Sequence, residues 1–349
     1  MRDLAFYRDK KILITGHSGF KGSWLCTILT LAGADVSGYA LESPTMPSLF
    51  AQTGLADKIY SIAGDVRNRE ALLRAVREAE PEIVFHLAAQ PLVRLSYREP
   101  AETYETNVMG TVNVLEAVRL CPSVRSFVNV TTDKVYENKE WHWGYRENEN
   151  LCGFDPYSNS KSCSELATYS YRNSFFNDAK VCAVSTARAG NVIGGGDWSK
   201  DRIIPDCVRA ALAGETIIVR NPCSVRPYQH VLDCLSGYLL LAEKQWADKT
   251  LAGNYNFGPD EEDCVTTGAI VDLFCDAWGG GLGWTTEGPG VQPYESTFLK
   301  LDCSKAKKEL NWKPRWNIRQ AIEKTVEFSK LKTDAERADC VERQIKEYW

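Results

Sequence analysis

The chain has 349 residues, 44% of them apolar and 25% charged, with 41 basic against 46 acidic side chains for a net charge of −5. This is the composition of a globular protein with a large core and one or two domains, which excludes a disordered or low-complexity chain. No basic run offers nucleic acid an electrostatic footprint, and no uncharged apolar run reaches the length of a membrane span. The start, MRDLAFYRDKK, is charged throughout and does not read as a signal peptide.

The first strand expected is KILIT at 11, and it runs straight into GHSGFKG. Glycines at 16, 19 and 22 give T-G-x-x-G-x-x-G before the apolar helix GSWLCTILTLAG, the pattern of a dinucleotide-binding turn. Gly16 permits the turn, Gly19 lets the backbone approach a pyrophosphate, and Gly22 lets the helix pack closely, while the helix N-terminus offers amides and partial positive charge. His17 is bulky for this turn, and Lys21 either points to solvent or reaches the pyrophosphate. The second strand, ADVSGYAL at 34, is followed by Glu42 and by no arginine, which favours NAD over NADP, held without the usual ribose anchor.

A helix at REALLRAVREAE, a strand at EIVFHLAA (82), a helix over 101–120 and a strand at SFVNVTT (126) continue the alternation. A helix beginning at Pro156 and a strand, VCAVSTAR, at 181 complete it. The expected fold class is α/β: a Rossmann doubly wound parallel sheet with a smaller α/β substrate-binding lobe. Residues 1–187 and 230–258 are assigned to the NAD-binding domain, and 188–229 with 259–349, where glycine, proline and tryptophan become frequent, to the second lobe.

Strand SFVNVTT ends in Thr131, Thr132, Asp133 and Lys134, an acid beside a base. The pair is either a solvated corner or two catalytic groups. Tyr157 and Lys161 are four residues apart and share a helix face, so the ammonium is expected to lower the phenol's pKa and make it a general base. Y-x-x-x-K carries no weight alone, since Tyr7 and Lys11 match it too. Position carries the argument: Rossmann-type sheets place their chemistry at strand C-termini, where Thr132, Tyr157 and Lys161 would converge. Twelve cysteines are scattered from Cys26 to Cys340 without a C-x-x-C, and the four histidines lack ligand spacing. Neither a disulfide framework nor a metal site is expected, and a cytoplasmic location is.

With "GDV" at 64–66, "HLAAQ" at 86–90, "TNVMGT" at 106–111, "TTD" at 131–133, "RAGNVIGGGD" at 188–197 and "RPYQHVLD" at 226–233, nearly the whole chain resembles the extended short-chain dehydrogenase/reductase family, and within it the nucleotide-sugar 4,6-dehydratases. GHSGFKGSWL and TTDKVYENKEW look like the members acting on CDP-glucose. The resemblance implies that Gly16, His17, Gly19, Phe20, Lys21, Gly22, Asp65, Val66, Leu87, Ala88 and Ala89, with Tyr157 and Lys161, hold NAD. It implies that Tyr157, supported by Lys161 and Thr132, takes the proton of the sugar 4-hydroxyl, and that Asp133 is the acid at C6. Most dehydratases of other nucleotides place Glu next as the C5 base; Lys134 stands here, as base or as enolate-stabilising cation.

By the same resemblance Gln90, Asn191, Arg202, Arg226 and His230 face the nucleotide sugar. The family's dimers or tetramers form through two long helices, here 101–120 and the one from Pro156, where Leu166, Tyr169 and Tyr171 exceed one buried face. A nucleotide-sugar 4-epimerase or a non-catalytic NAD-binding protein are the alternatives.

Overall fold

The computed structural model describes residues 2–178, 182–286 and 296–349; Val181, the first residue of the last expected strand, lies outside them. In chain order the strands are β1 (Lys11–Thr15), β2 (Asp35–Ala40), β3 (Tyr60–Ala63), β4 (Ile83–His86), β5 (Ser126–Val130), β6 (Ala183–Ala189), β7 (Val192–Ile193), β8 (Ile217–Val219), β9 (Gln229–His230), β10 (Asn254–Phe257) and β11 (Trp284–Thr286). The α-helices are α1 (Phe20–Leu31), α2 (Leu49–Gln52), α3 (Arg69–Ala79), α4 (Val93–Arg98), α5 (Pro100–Tyr104), α6 (Gly110–Arg119), α7 (Pro156–Phe175), α8 (Ile203–Ala213), α9 (Val231–Ala247), α10 (Thr267–Trp278), α11 (Ile318–Ser329) and α12 (Asp334–Tyr348).

Seven strands form one parallel sheet in the order β3-β2-β1-β4-β5-β6-β10. The order reverses between β1 and β4, so the strand C-termini open a crevice there, where doubly wound sheets bind their ligands. Alternation along the buried strands feeds two cores. Ile12 and Ile14 of β1 join Trp24, Val128, Leu235 and Tyr238 on one face, and Leu13 joins Leu72, Val84, Val114 and Phe127 on the other. Each such fully buried aliphatic side chain contributes roughly 1.5–3 kcal/mol. His86 bridges β1 and the helical layer without charge: Nδ1 bonds Thr15 Oγ1 at 2.7 Å, Nε2 bonds Thr111 Oγ1 at 3.2 Å, and burial lowers its pKa to about 3.

Two strands were not expected. β3 is a mostly exposed edge with no apolar run, and β10, NYNF, interleaves Asn256 with its core residues and joins the sheet from far along the chain. The helix expected over 101–120 is helical throughout but contains a π turn at Glu105–Met109. That turn directs Asn107 onto the loop after β4, where it accepts from Gln90 N (2.8 Å) and donates to Gln90 O (3.1 Å) and Ser160 Oγ (2.9 Å). The later segments build parallel pairs β7–β9 and β8–β11 around a third core of Ile193, Ile204, Val208, Ile270, Phe274 and Ile322.

Candidate active site

The glycine turn follows from contacts that a side chain would prevent. Gly16 has φ +77°, and a Cβ there would stand 2.7 Å from Ala88 N, so glycine lets the turn pass beneath the end of β4. A Cβ on Gly22 would stand 2.1 Å from Gly16 O, so glycine also seats α1 on the turn. Leu87 N and Ala88 N donate to Thr15 O (3.0 Å) and Thr15 Oγ1 (3.2 Å), which fixes the facing lip of the crevice. Gly19 is the N-cap of α1 and has no side chain to satisfy the first-turn amides. A backbone cradle too tight for Cβ atoms, closed by an uncapped helix N-terminus, fits a dinucleotide pyrophosphate.

The His17 side chain does something else. Its buried ring lies on Gly38 of β2, where any Cβ would collide with it at 2.3 Å, with Nε2 bonded to Ser61 Oγ at 2.7 Å and the ring edge on Phe50. Burial lowers its pKa to about 4, against the opposing influence of the Tyr39 backbone. Phe20 is partly buried against the core, and Val66 packs on Gly110. Asp65 commits its carboxylate to Arg67, with Nε at 2.8 Å, and Glu42 is exposed beyond the end of β2.

Lys21 points neither to bulk solvent nor to the core. Its Nζ lies 5.9 Å from the centre of the Tyr238 ring, and desolvation first, then the charge of Arg202, lowers its pKa against the pull of Cys234, Asp133 and Asp197. This places a lysine of the glycine turn among the groups at the end of β5.

There, β5 ends in a short 3₁₀ turn, Asp133–Val135. Thr132 is its N-cap, accepting from Lys134 N at 3.4 Å while donating to Asp133 Oδ1 at 3.0 Å. Asp133 is 1% exposed, and Oδ2 accepts no hydrogen bond among the described residues. Burial raises its pKa, and it outweighs the opposing influence of Lys134, Thr132, Arg226 and Lys21. Lys134 is partly exposed beside it.

Helix α7 brings up the second pair. Pro156 at its first position and Asp155, which accepts from Ser158 N at 3.0 Å, set its start, and Tyr157 N donates to Ser96 Oγ at 3.1 Å. Lys161 Nζ donates to Val130 O at 3.1 Å. Thr132 opposes the effect of burial on the Tyr157 phenol and donates to Asp133 Oδ1, so it stands between the two groups.

One expectation is overturned: the phenol is not acidified by the lysine. Burial pushes Tyr157 up to about 12, against Thr132 and Arg202, and pushes Lys161 down to about 8, helped by the like charge of Lys21. Both groups are enclosed by the fold, and desolvation of the charged form is the largest influence on each.

On the far wall Asn191 is partly exposed, and its carbonyl accepts from Gln229 N at 3.0 Å. Arg226 is buried with its charge felt by Asp133; its guanidinium donates to Val225 O at 2.9 Å and to Ser296 O. Arg202 begins α8, pairs with Asp197 at 3.2 Å and acts on both Tyr157 and Lys21. Gln90 turns its amide to Thr103 Oγ1 (2.9 Å) and Leu92 O (3.2 Å), shaping the loop after β4.

His230 does not face the crevice. It is 0% exposed, packed between Trp24 and Trp316, and its Nδ1 accepts from Leu232 N at 3.2 Å as the N-cap of α9. Its position before an apolar helix was the available signal for that role. Sequence reasoning also passed over Ser96, Tyr238, Gly190 and Glu165. A Cβ on Gly190 would come within 3.2 Å of Asp133 Oδ2. Glu165 follows Lys161 by one helical turn, a legible spacing.

With this geometry in place, the chain was compared with known proteins. The family described as GDP-mannose 4,6 dehydratase matches residues 13–325. A CDP-glucose 4,6-dehydratase of Salmonella typhimurium is 49% identical over 100% of this chain and 98% of its own length. Among solved structures, the UDP-glucose 4-epimerase of Thermus thermophilus in complex with NAD superposes with a TM-score of 0.80 at 24% identity, over 91% of this chain and 98% of that one. The dTDP-glucose 4,6-dehydratase of Bacillus anthracis, also in complex with NAD, gives 0.74 at 23%, over 90% and 95%.

Proposed function

The chain belongs to the GDP-mannose 4,6 dehydratase family, and from that premise we propose that it acts as a nucleotide-sugar 4,6-dehydratase on CDP-glucose, with NAD as its resident cofactor. The product is CDP-4-keto-6-deoxyglucose and one water, with no net redox change. The observation that carries this reading is the grouping of Tyr157, Thr132 and Asp133, in which Thr132 acts on the phenol assigned to the 4-hydroxyl and donates to the acid assigned to the 6-hydroxyl.

The glycine turn, the first turn of α1 and the Leu87–Ala89 lip would hold NAD, which supplies a reversible two-electron acceptor for the sugar carbons. The protein's own groups manage the protons. Once ionised to the phenolate, Tyr157 receives the proton of the 4-hydroxyl, and Thr132 and the Arg202 charge ease that ionisation against burial. Lys161, fixed on Val130 O, has its pKa lowered to about 8 by burial. Once C4 is a ketone the C5 proton is acidic, and Lys134 is assigned to it as base. Asp133, its pKa raised by burial, is assigned to deliver a proton to the departing 6-hydroxyl. Asn191, Arg226 and Arg202 are assigned to the substrate side, the two arginines to its phosphates.

In this reading residues 1–187 and 230–258 carry the cofactor, and 188–229 with 259–349 carry the nucleotide sugar. The cytoplasm is the proposed site, supported by the free thiols. No helix of the described residues is long and apolar enough to cross a membrane. Leu166 and Tyr169 on α7, with Met109 nearby in sequence to α6, are exposed by 53%, 57% and 52%, which supports a homodimer formed through these helices.

The test is mass spectrometry of CDP-, dTDP-, UDP- and GDP-glucose after incubation with the protein and NAD. Loss of one water from CDP-glucose alone is expected. Loss from a different nucleotide sugar overturns the substrate, and an unchanged mass with an isomer resolved by chromatography identifies a 4-epimerase, a reaction that gives Asp133 and Lys134 no task.

A further inference from the structure

Glu165 and Arg188 form a buried ion pair, 1% and 0% exposed, that no step above uses. Glu165 lies on α7 one turn beyond Lys161, and Arg188 on β6 two residues before Gly190. Arg188 bonds the carboxylate in a fork, Nε to Oε1 and Nη2 to Oε2, both at 2.9 Å. The remaining acceptor sites of Glu165 take Thr131 Oγ1 at 2.5 Å and Thr186 Oγ1 at 2.7 Å. The remaining guanidinium nitrogen, Nη1, donates to Tyr136 OH at 2.8 Å and to Glu147 O at 3.1 Å. Tyr136 OH in turn donates to Asn256 Oδ1 at 2.7 Å.

Thr131 and Tyr136 are the two ends of the segment that carries Thr132, Asp133 and Lys134. One end is held by the acid of the pair and the other by its base. We propose that the Glu165–Arg188 pair is a positioning clamp, setting where the Thr132–Lys134 turn stands relative to Tyr157 and Lys161.

Three features support this over a purely stabilising role. Buried ion pairs are poor stabilisers, because desolvating two charges offsets most of their attraction, and their best-attested use is to specify one arrangement. Both partners are fully ionised: burial raises Glu165 and lowers Arg188, yet in each case the partner's charge and the hydrogen bonds reverse the direction. The contacts also converge on the turn from two elements, Glu165 reaching it from α7 and Arg188 from β6. Lys161 Nζ reaches Val130 O at 3.1 Å and Ser162 Oγ reaches Val135 O at 2.7 Å, so α7 brackets the turn before and after its working residues. A reaction that moves protons at C4, C5 and C6 of one sugar needs those groups in register, and a displacement of about 1 Å costs on the order of 100-fold in rate.

The inference rests on the dehydratase reading, so the experiment separates the two. Thr131→Val and Tyr136→Phe each remove one hydroxyl at an end of the clamp and leave the ion pair intact, whereas Glu165→Gln strands Arg188 and risks the fold. Expected for both hydroxyl variants is a kcat lowered about 10- to 100-fold per folded molecule with KM within about twofold, and recovery of kcat in Thr131→Ser. A second readout is independent of turnover: the ¹³C resonance of the Asp133 carboxyl should shift in Thr131→Val and Tyr136→Phe and stay in place in Thr131→Ser. Unchanged kcat with an unmoved resonance, or Thr131→Ser as impaired as Thr131→Val, overturns the clamp. A wild-type chain that releases no water while the resonance still moves overturns the reaction and keeps the clamp.

Discussion

At the scale of single residues the site is built against stability. Asp133 has its pKa raised by burial, so the folded state keeps a proton that the unfolded chain releases above its ordinary value of 3.8; stability falls as pH rises through that window. Lys161 runs the opposite way. Its pKa is depressed from 10.5 to about 8, so the unfolded chain binds more protons between those values and stability climbs with pH across them. The cost below pH 8 is on the order of 3 kcal/mol. Lys161→Met is therefore expected to hold or raise Tm at pH 7, to lose the rise of Tm between pH 8 and 10.5, and to lower turnover at least about 100-fold. Asp133→Asn should likewise hold or raise Tm at pH 7 while elimination fails. Thermal melts over a pH series check both, and variants that were less stable and still active would contradict the assignment. Lys134→Ala should abolish exchange of the C5 proton with deuterated solvent; full-rate exchange would remove Lys134 as the base. The types and spacing of these residues were legible in the sequence, but their protonation balance was not. Tyr157 and Lys161 were expected to acidify the phenol, whereas burial, which spacing does not reveal, moved it to about 12.

At the scale of elements, helix α1 and the glycine turn depend on approaches closer than a side chain allows. Gly22→Ala places a methyl group 2.1 Å from Gly16 O, a backbone atom that cannot swing away. The helix must move off the turn, and NAD affinity is expected to fall at least about tenfold, read by calorimetric titration. Asp155→Ala removes the N-cap of α7 and should cost about 1 kcal/mol of stability, seen as a lower denaturant midpoint with the same slope. Both features were readable beforehand, since Gly-x-x-Gly after an apolar strand and Asp-Pro before a helix are local signals. β3 and β10 were not, because the exposed edge strand has no apolar run and the alternation Asn-Tyr-Asn-Phe covers only four residues. β10 takes its place from β6, a neighbour that is distant in the chain.

At the scale of the whole molecule, the helical face that carries Leu166 and Tyr169 remains uncovered in one chain. Leu166→Arg combined with Tyr169→Arg is expected to convert the proposed dimer to a monomer in sedimentation velocity while leaving the chain folded; an unchanged sedimentation coefficient would overturn an interface on this face. Tyr171, expected on the same face, instead packs against the second core and Phe175. By itself the sequence determined what local chemistry encodes: the alternation of strands and helices, the glycine turn, and the residue types Thr132, Asp133, Lys134, Tyr157 and Lys161 in their order. Only the tertiary structure decided which way each side chain points and how much water it keeps. His230 was drawn into the core as a helix cap, Lys21 was turned toward the end of β5, and Glu165 was joined to Arg188 beneath the catalytic turn. Desolvation and hydrogen-bond saturation depend on every element packed around a group, and those elements meet only when the chain has folded.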